Sequence, residues 1–391
     1  MTPLDIGLER RARITGIGLS QVGRRTGIPG LDLTLAATRQ AIADAGLQPA
    51  DIDAVTSVGD TPVGEAAAAL GIAAAWPAGM LDAGGLLAPV MSAVEAVATG
   101  RAGHVLVYRT VQMIGGTILG AAGGEGARPE PDAGAEPAVP GWIGPLLAMH
   151  AYSAANWVAM HCRRHMHLYR TTKQQLGWLA VSSRRYAALN PAAVYRQPMS
   201  LDDYLAARPI SDPLGLYDCD VPVDGSVALV VSAADRAGDG PHRPVGVEAM
   251  GRVPADGSWD QRPDYPKMAS ADAAAQMWNR TDLTPRDVDV AELYDGFTFL
   301  TFAWLEALGL CGEGEAGPFV DGGHRIALDG DLPLNTYGGQ LSAGRLHGYG
   351  FLHEAVTQLR GAAGARQVPR AEVAVIGVGG GPIAGCMLLT A

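Results

Sequence analysis

The sequence predicts a duplicated α/β fold with an insertion inside its first copy, and three observations carry that expectation. The phrase Leu47-Gln48-Pro49-Ala50-Asp51-Ile52-Asp53-Ala54-Val55 returns as Leu283-Thr284-Pro285-Arg286-Asp287-Val288-Asp289-Val290-Ala291, with Leu, Pro and both Asp at a constant offset of 236. A weaker echo pairs a helix over 84–99, closed by Gly100 and followed by a strand through Val107, with a helix over 351–360, closed by Gly361 and followed by a strand through Val375. A period this long is no solenoid repeat, so a whole unit is doubled, and the helix and strand alternation favours a mainly parallel sheet in each copy. The length of 391 residues agrees, at roughly 150 residues per domain.

In chain order, Leu31, Leu35 and Ile42 share one face of a helix that Gly46 ends. Residues 47–55 turn into a strand. The 84–99 helix is apolar nearly all round, with Leu86, Leu87, Val90, Met91, Val94 and Val97, which predicts burial between layers. The first copy spans about 10–110 with a return near 225–232, and the second spans about 243–391, which divides the chain into 1–242 and 243–391. Between the first copy and its return lies an insertion at about 111–224. It opens with the Gly, Ala, Glu and Pro-rich run 114–141, read as a long mobile loop, and carries a helix over about 171–189.

Composition excludes several classes. Hydrophobic residues make up 48% of the chain, and 52 Gly with 26 Pro stay below the level of low-complexity disorder. A net charge of −11 leaves no bulk basic surface for nucleic acid. No apolar run approaches the ~20 residues of a membrane span. Cys162, Cys219, Cys311 and Cys386 are scattered, and the first residues lack signal-peptide features, so reduced thiols and a cytoplasmic location are expected. His161 and His165 at helical spacing, near Cys162 and His167, have the pattern of metal ligands. Arg163, Arg164 and Arg170 interleave with them and favour a basic, solvated helix face, so no metal is expected.

Three strings carry a family resemblance. Asn335-Thr336-Tyr337-Gly338-Gly339-Gln340-Leu341-Ser342-Ala343-Gly344 resembles the Asn-x-x-Gly-Gly-x-Leu-x-x-Gly segment of the thiolase superfamily. Tyr294-Asp295-Gly296-Phe297-Thr298 and Gly314-Glu315-Ala316-Gly317-Pro318-Phe319-Val320, taken with Gly338 to Ala343, are similar to its lipid-transfer-protein branch. The resemblance implies a five-layer αβαβα fold with buried central helices, and a homodimer with the strand near 103–109 at its interface. It also implies CoA as part of the substrate with no further cofactor. Some members of the branch are aldolases that shorten CoA-linked steroid side chains in complex with a small OB-fold, zinc-ribbon protein, which here implies a heterotetramer. The chain departs from the thiolase pattern at both cysteines: the nucleophile's place falls on Asp82 and the second on Gly377. Covalent acyl-enzyme chemistry at those positions lacks its thiols. Arg345-Leu346 stands where His-Pro is usual, and a second tyrosine of the branch aldolases falls on Arg345.

Retro-aldol cleavage of a β-hydroxyacyl thioester needs a base for the hydroxyl proton, stabilisation of an enolate, and an acid for the α-carbon. Lys173 and Lys267 are the only lysines and lie outside these motifs, which argues against a Schiff base. Tyr294, in the place of the oxyanion-hole asparagine, is the expected acid/base, with Arg345 as the cation that favours its phenolate. Asp295, His347 and Tyr349 are supporting candidates, His347 at a predicted helix start. Asp82, Gly84, Gly85, Tyr337, Gly338, Gly339, Gly380 and Gly381 are candidate substrate contacts; the glycines allow close backbone approach or tight helix packing, and Asp82 reads equally as an N-cap. Two other readings stay open: a non-catalytic acyl-CoA or lipid-binding subunit, and an acyltransferase whose nucleophile has moved to Cys219 or Cys311.

Overall fold

The computed structural model describes residues 7–77, 82–112, 144–238, 240–254 and 258–391. The first half runs β1 (Ala12–Leu19), α1 (Gly30–Asp44), β2 (Ala54–Ser57), α2 (Val63–Leu70), β3 (Ala75–Pro77), α3 (Ala88–Ala98) and β4 (His104–Gln112). The insertion supplies α4 (Gly144–Ala148), α5 (Ala154–Tyr169), α6 (Lys173–Leu189), α7 (Leu201–Leu205) and a small hairpin of β5 (Pro209–Ser211) and β6 (Leu214–Gly215), before β7 (Asp224–Ala233) returns. The second half is β8 (Val245–Arg252), α8 (Ala269–Trp278), β9 (Val290–Leu293), α9 (Thr298–Ala307), α10 (Ala316–Val320), α11 (Tyr349–Leu359), β10 (Val373–Gly380) and β11 (Ile383–Thr390).

The sequence repeat is a structural one. Ala54, which opens β2, corresponds to Val290, which opens β9. Ahead of each, a short 3-10 turn ends in an aspartate that accepts the backbone N–H three residues earlier, Gln48 to Asp51 at 2.8 Å and Thr284 to Asp287 at 2.7 Å. The second aspartate of each phrase fastens the neighbouring strand. Asp53 accepts from Gly103 N and His104 N at 2.6 and 3.0 Å, and Asp289 accepts from Glu372 N and Val373 N at 2.8 and 2.9 Å.

The strands lie in the order β3-β2-β4-β7-β1-β8-β11-β10-β9, the half-sheets meeting where β1 and β8 pair at Arg13↔Gly246 and Ile14↔Val245. The expected mainly parallel sheets are corrected to mixed ones. Among the described strands, β2 with β3, β2 with β4, and β9 with β10 are the parallel pairs. A tight turn joins β10 to β11, and such a connection admits only antiparallel pairing.

Alternate residues of each strand face different cores. Val105, Val107 and Val111 of β4, and Ala374, Ile376 and Val378 of β10, enter one central core with α3 and α11. Leu106 and Tyr108 enter an outer core under α1 and α2. Val375, Cys386 and Leu388 enter the opposite outer core under α8, α9, α5 and α6. Helices, half-sheet, central helices, half-sheet and helices make the five layers. Val90, Met91, Val94 and Val97 of α3 are buried as expected. The second central helix begins at Tyr349, two residues before the expected start, and residues 339–343 form a separate wide turn ahead of it. The buried face of α1 is Leu33, Ala37, Ala41 and Ile42, with Leu31 and Leu35 half-buried. The helix backbone rests directly on β1, since a Cβ at Gly16 or Gly18 would lie 2.1 Å from the carbonyl oxygen of Ala41 or Ala37.

Two further expectations change. The strand near 103–109 is hydrogen-bonded on both sides, by β2 and β7, so it has no edge to offer a second copy. The outer edge of β9 is covered by residues 333–335, which leaves β3 as the open edge among the described residues. His161 and His165 are buried, not solvated: their rings bond Pro266 O and Trp259 O, and Thr171 Oγ1 and Glu306 Oε1, while Arg163 and Arg164 face solvent. The run 114–141 lies outside the described residues, among which no helix is long and apolar enough to cross a membrane.

Candidate active site

Tyr294 follows the last residue of β9, and three elements fix it there. The Asn335 side chain clamps Leu293, accepting from its N–H at 2.7 Å and donating to its carbonyl at 2.9 Å. Tyr294 N donates to Gly377 O at 2.8 Å. The ring folds over Gly296, where a Cβ would sit 2.6 Å from Tyr294 Cε1, and meets the Phe351 edge at 6.3 Å between centroids.

Charged groups converge on this phenol from three elements. The 219–221 segment of the insertion is stitched between two loops: Asp220 N donates to Gly296 O at 3.1 Å, Val221 N to Gln340 O at 3.0 Å, and Arg345 N to Val221 O at 2.8 Å. Across that seam Asp220 Oδ1 lies 3.3 Å from Arg345 Nη1. From β4, the buried Arg109 donates through Nη1 to Val58 O and through Nη2 to His347 Nδ1. Val58 is the repeat counterpart of Tyr294.

Burial pushes the Tyr294 phenol up to about 12, helped by the Asp220 charge and opposed by Arg345, a Gln340 hydrogen bond and Arg109. It is therefore a neutral phenol near pH 7. Burial also raises Asp220, to about 6, against the pull of Arg345. Burial, with Arg109 and Arg345, holds His347 well below the usual imidazole range. Its ring is neutral, and because Nδ1 accepts from Arg109, Nε2 carries the hydrogen. Tyr349 is likewise raised by burial, and its hydroxyl has no hydrogen-bond partner.

Asp295 is raised to about 7 by burial, but its oxygens serve a structural purpose, accepting from Gln340 N at 2.8 Å and Leu341 N at 3.5 Å. That carboxyl holds the 339–343 turn. Gly339 sits on it, since a Cβ there would lie 2.0 Å from Asp295 Oδ2. Gly338 lies against Ala187 of α6, Gly380 against Leu300, Gly381 under Trp259 and Gly84 against Met91. Gly85 opens the 3-10 turn that leads into α3, and Asp82 is exposed ahead of that turn and does not cap the helix. Tyr337 is buried edge-on to Phe351 and lines a separate cavity with Asn190, His353, Glu354 and Arg366. The structure thus brings Tyr294, Arg345, His347 and Tyr349 together, with Asp295 and the Gly339 that rests on it behind them, and places Asp82, Gly84, Gly85, Gly380 and Gly381 elsewhere.

Sequence reasoning passed over Arg109, Asp220 and Gln340. Arg109 had a signal, a lone charge in the run Val105-Leu106-Val107-Tyr108-Arg109. Gln340 occupies a variable place in its motif, and Asp220 stands in an irregular stretch with no pattern to mark it. Nucleophilic chemistry finds no support in the thiols. Burial pushes Cys219 and Cys311 up to about 12, with neighbouring carboxylates adding to it, and raises Cys162 and Cys386 as well. At Gly377 a Cβ would lie 2.6 Å from the Trp304 indole. No metal-binding cluster occurs among the described residues. The phenol, guanidinium, imidazole and carboxyl groups gathered here suit proton transfer beside a developing negative charge.

The thiolase C-terminal domain-like family matches residues 251–388. The chain is 36% identical to the 17-hydroxy-3-oxo-4-pregnene-20-carboxyl-CoA lyase of Mycobacterium tuberculosis, over 90% of this chain and 92% of that protein. It is 36% identical to the steroid side-chain-cleaving aldolase of Thermomonospora curvata, over 90% of each. Among solved structures, the Ltp2-ChsH2(DUF35) aldolase superposes with a TM-score of 0.86 at 32% identity, covering 98% of each chain. With the duplicated five-layer fold, these similarities show that the chain belongs to the thiolase superfamily, in its lipid-transfer-protein branch.

Proposed function

We propose that this protein is a retro-aldolase that cleaves a C–C bond in the β-hydroxyacyl side chain of a CoA-linked steroid or lipid. The observation that carries this reading is the neutral Tyr294 phenol, clamped at the end of β9 among Asp220, Arg345, Arg109 and His347, where no thiol is poised for attack. The names of the M. tuberculosis and T. curvata relatives support the same reaction class. Tyr294 is the principal acid/base. The His347 Nε2–H and the guanidinium groups of Arg109 and Arg345 offset the enolate charge. CoA enters as part of the substrate, and no other cofactor is called for. The solved neighbour carries ChsH2(DUF35), which supports a partner of that kind here. That this partner is a small OB-fold, zinc-ribbon protein, and that it joins a homodimer in the cytoplasm, is proposed from the family resemblance.

The test uses 17-hydroxy-3-oxo-4-pregnene-20-carboxyl-CoA as the probe, with and without such a partner. Tyr294→Phe keeps the ring packing and should change stability by about 0–2 kcal/mol, the range of one hydrogen bond. Turnover should fall by roughly 10²–10⁴, the usual worth of one positioned acid/base. A Phe variant that cleaves like the parent removes Tyr294 from the chemistry. A parent that binds the probe and never cleaves it makes the protein a binding subunit.

A further inference from the structure

We propose that Asp220, held by Arg345 as its fixed counter-ion, is the base that accepts the hydroxyl proton, leaving Tyr294 to protonate the enolate carbon. This assignment rests on the retro-aldol reading above.

Few groups around the phenol can accept a proton. Tyr294 holds its own near pH 7, so it begins the cycle as an acid. Arg109 and Arg345 have no acceptor to offer. The Nδ1 lone pair of His347 is occupied by Arg109, and the Asp295 oxygens are turned to the backbone of the 339–343 turn. Among the described residues, Asp220 is the remaining carboxylate facing the phenol, and about a tenth of its side-chain surface stays accessible. The groups facing it are Arg345, Tyr294, Cys219 and Asp295. The Asp220–Val221 backbone is pinned between the Gly296 and Arg345 loops by three hydrogen bonds, one at Asp220 and two at Val221, so the carboxylate and the phenol keep a fixed relation, as stepwise proton transfer requires.

The step balances. The substrate hydroxyl gives its proton to the Asp220 carboxylate, and its O–H electron pair becomes the new carbonyl as the bond between the α- and β-carbons breaks. That bond's electrons pass to the thioester as an enolate. The enolate carbon takes the Tyr294 proton and leaves as an acyl-CoA. Asp220 then releases its proton to water and the phenolate recovers one, with no net change.

Two reactions separate this role from a structural one. The first is cleavage of the steroid thioester. The second is deuterium exchange at C2 of propionyl-CoA, the thioester fragment its cleavage leaves, which needs Tyr294 alone. In Asp220→Asn, cleavage should fall roughly 10²–10⁴-fold and lose its acid limb near pH 6. Exchange should persist or quicken, because removing the Asp220 charge makes the phenol easier to ionise. Asp220→Glu should recover part of the cleavage, and Tyr294→Phe should lose both reactions. The assignment is overturned if Asp220→Asn cleaves at the parent rate, or if it loses exchange in proportion to cleavage. A parent that exchanges but never cleaves overturns the retro-aldol reading and this assignment with it.

Discussion

Replacing Arg345 by Met removes the cation beside Asp220 while keeping most of the side-chain volume. A unit charge pair 3.3 Å apart interacts by about 5 kcal/mol at an effective dielectric of about 20. The Arg345 side chain is 23% exposed, and solvent there reduces the effect to about 1–3 kcal/mol, roughly one to two pH units. Arg345 opposes the burial that raises Asp220, so its loss lifts that carboxyl from about 6 to roughly 7–8. The acid limb of kcat/KM should move up by the same amount, and the alkaline limb set by Tyr294 should rise too. Stability follows the sign of the shift. A carboxyl raised in the folded state contributes stability below its unfolded value near ~4 and loses it as pH rises through the folded value. The variant should therefore be weakened by about 1–3 kcal/mol relative to the parent at pH 8.5 and much less at pH 5. The checks are kcat/KM from pH 5 to 9 and urea unfolding at the two pH values. An acid limb that stays near 6, with an equal stability loss at both pH values, would refute the Asp220–Arg345 coupling.

Restoring a thiolase cysteine by Gly377→Cys should cost about 1–3 kcal/mol in a thermal melt, because the new Cβ enters the Trp304 ring, and should create no acyl-enzyme detectable by mass spectrometry. Asp53→Ala and Asp289→Ala each remove two hydrogen bonds to a carboxylate at the start of a strand, so each should lose about 2–3 kcal/mol in urea, the two agreeing within about 1 kcal/mol if the repeat is mechanically equivalent. Asp295 rises to about 7 on burial, so its contribution is complete near pH 4 and lost as pH passes 7; the stability difference between the parent and Asp295→Asn should shift toward the variant by up to about 3 kcal/mol between pH 5 and 8.

The doubling was legible because each of its recurring residues acts locally. Pro and the first Asp build a turn, and the second Asp ties down the next strand. Strand sense was not, since a strand buried on both faces reads as the same apolar run in either direction. Periodicity also could not say which side of α5 faces inward; His161 and His165 share a face with Cys162 and Val158, and that face is the buried one. In the site, Tyr294 and Arg345 stand out because they depart from a known motif, and His347 because it follows Arg345 at a predicted helix start. Arg109 and Asp220 arrive from β4 and the insertion, distant in the chain, and only the closed fold shows that they meet Tyr294. The glycine motifs were visible as glycines, but packing against Ala187, Asp295, Leu300 and Trp259 is a fact of the tertiary contacts.

The central core has a consequence for how the chain becomes a protein. Val105, Val107, Val227 and Leu229 from one half and Ala374, Ile376, Met387 and Leu389 from the other line the same interior. Neither half can bury its inner surface alone. A ribosome that has released residues up to about 240 has made a half-sheet with one greasy face and nothing to close it, so that intermediate needs a chaperone or prompt completion. The two halves should then melt in one transition, and separately produced halves should be sticky until mixed, regaining structure only by complementing each other.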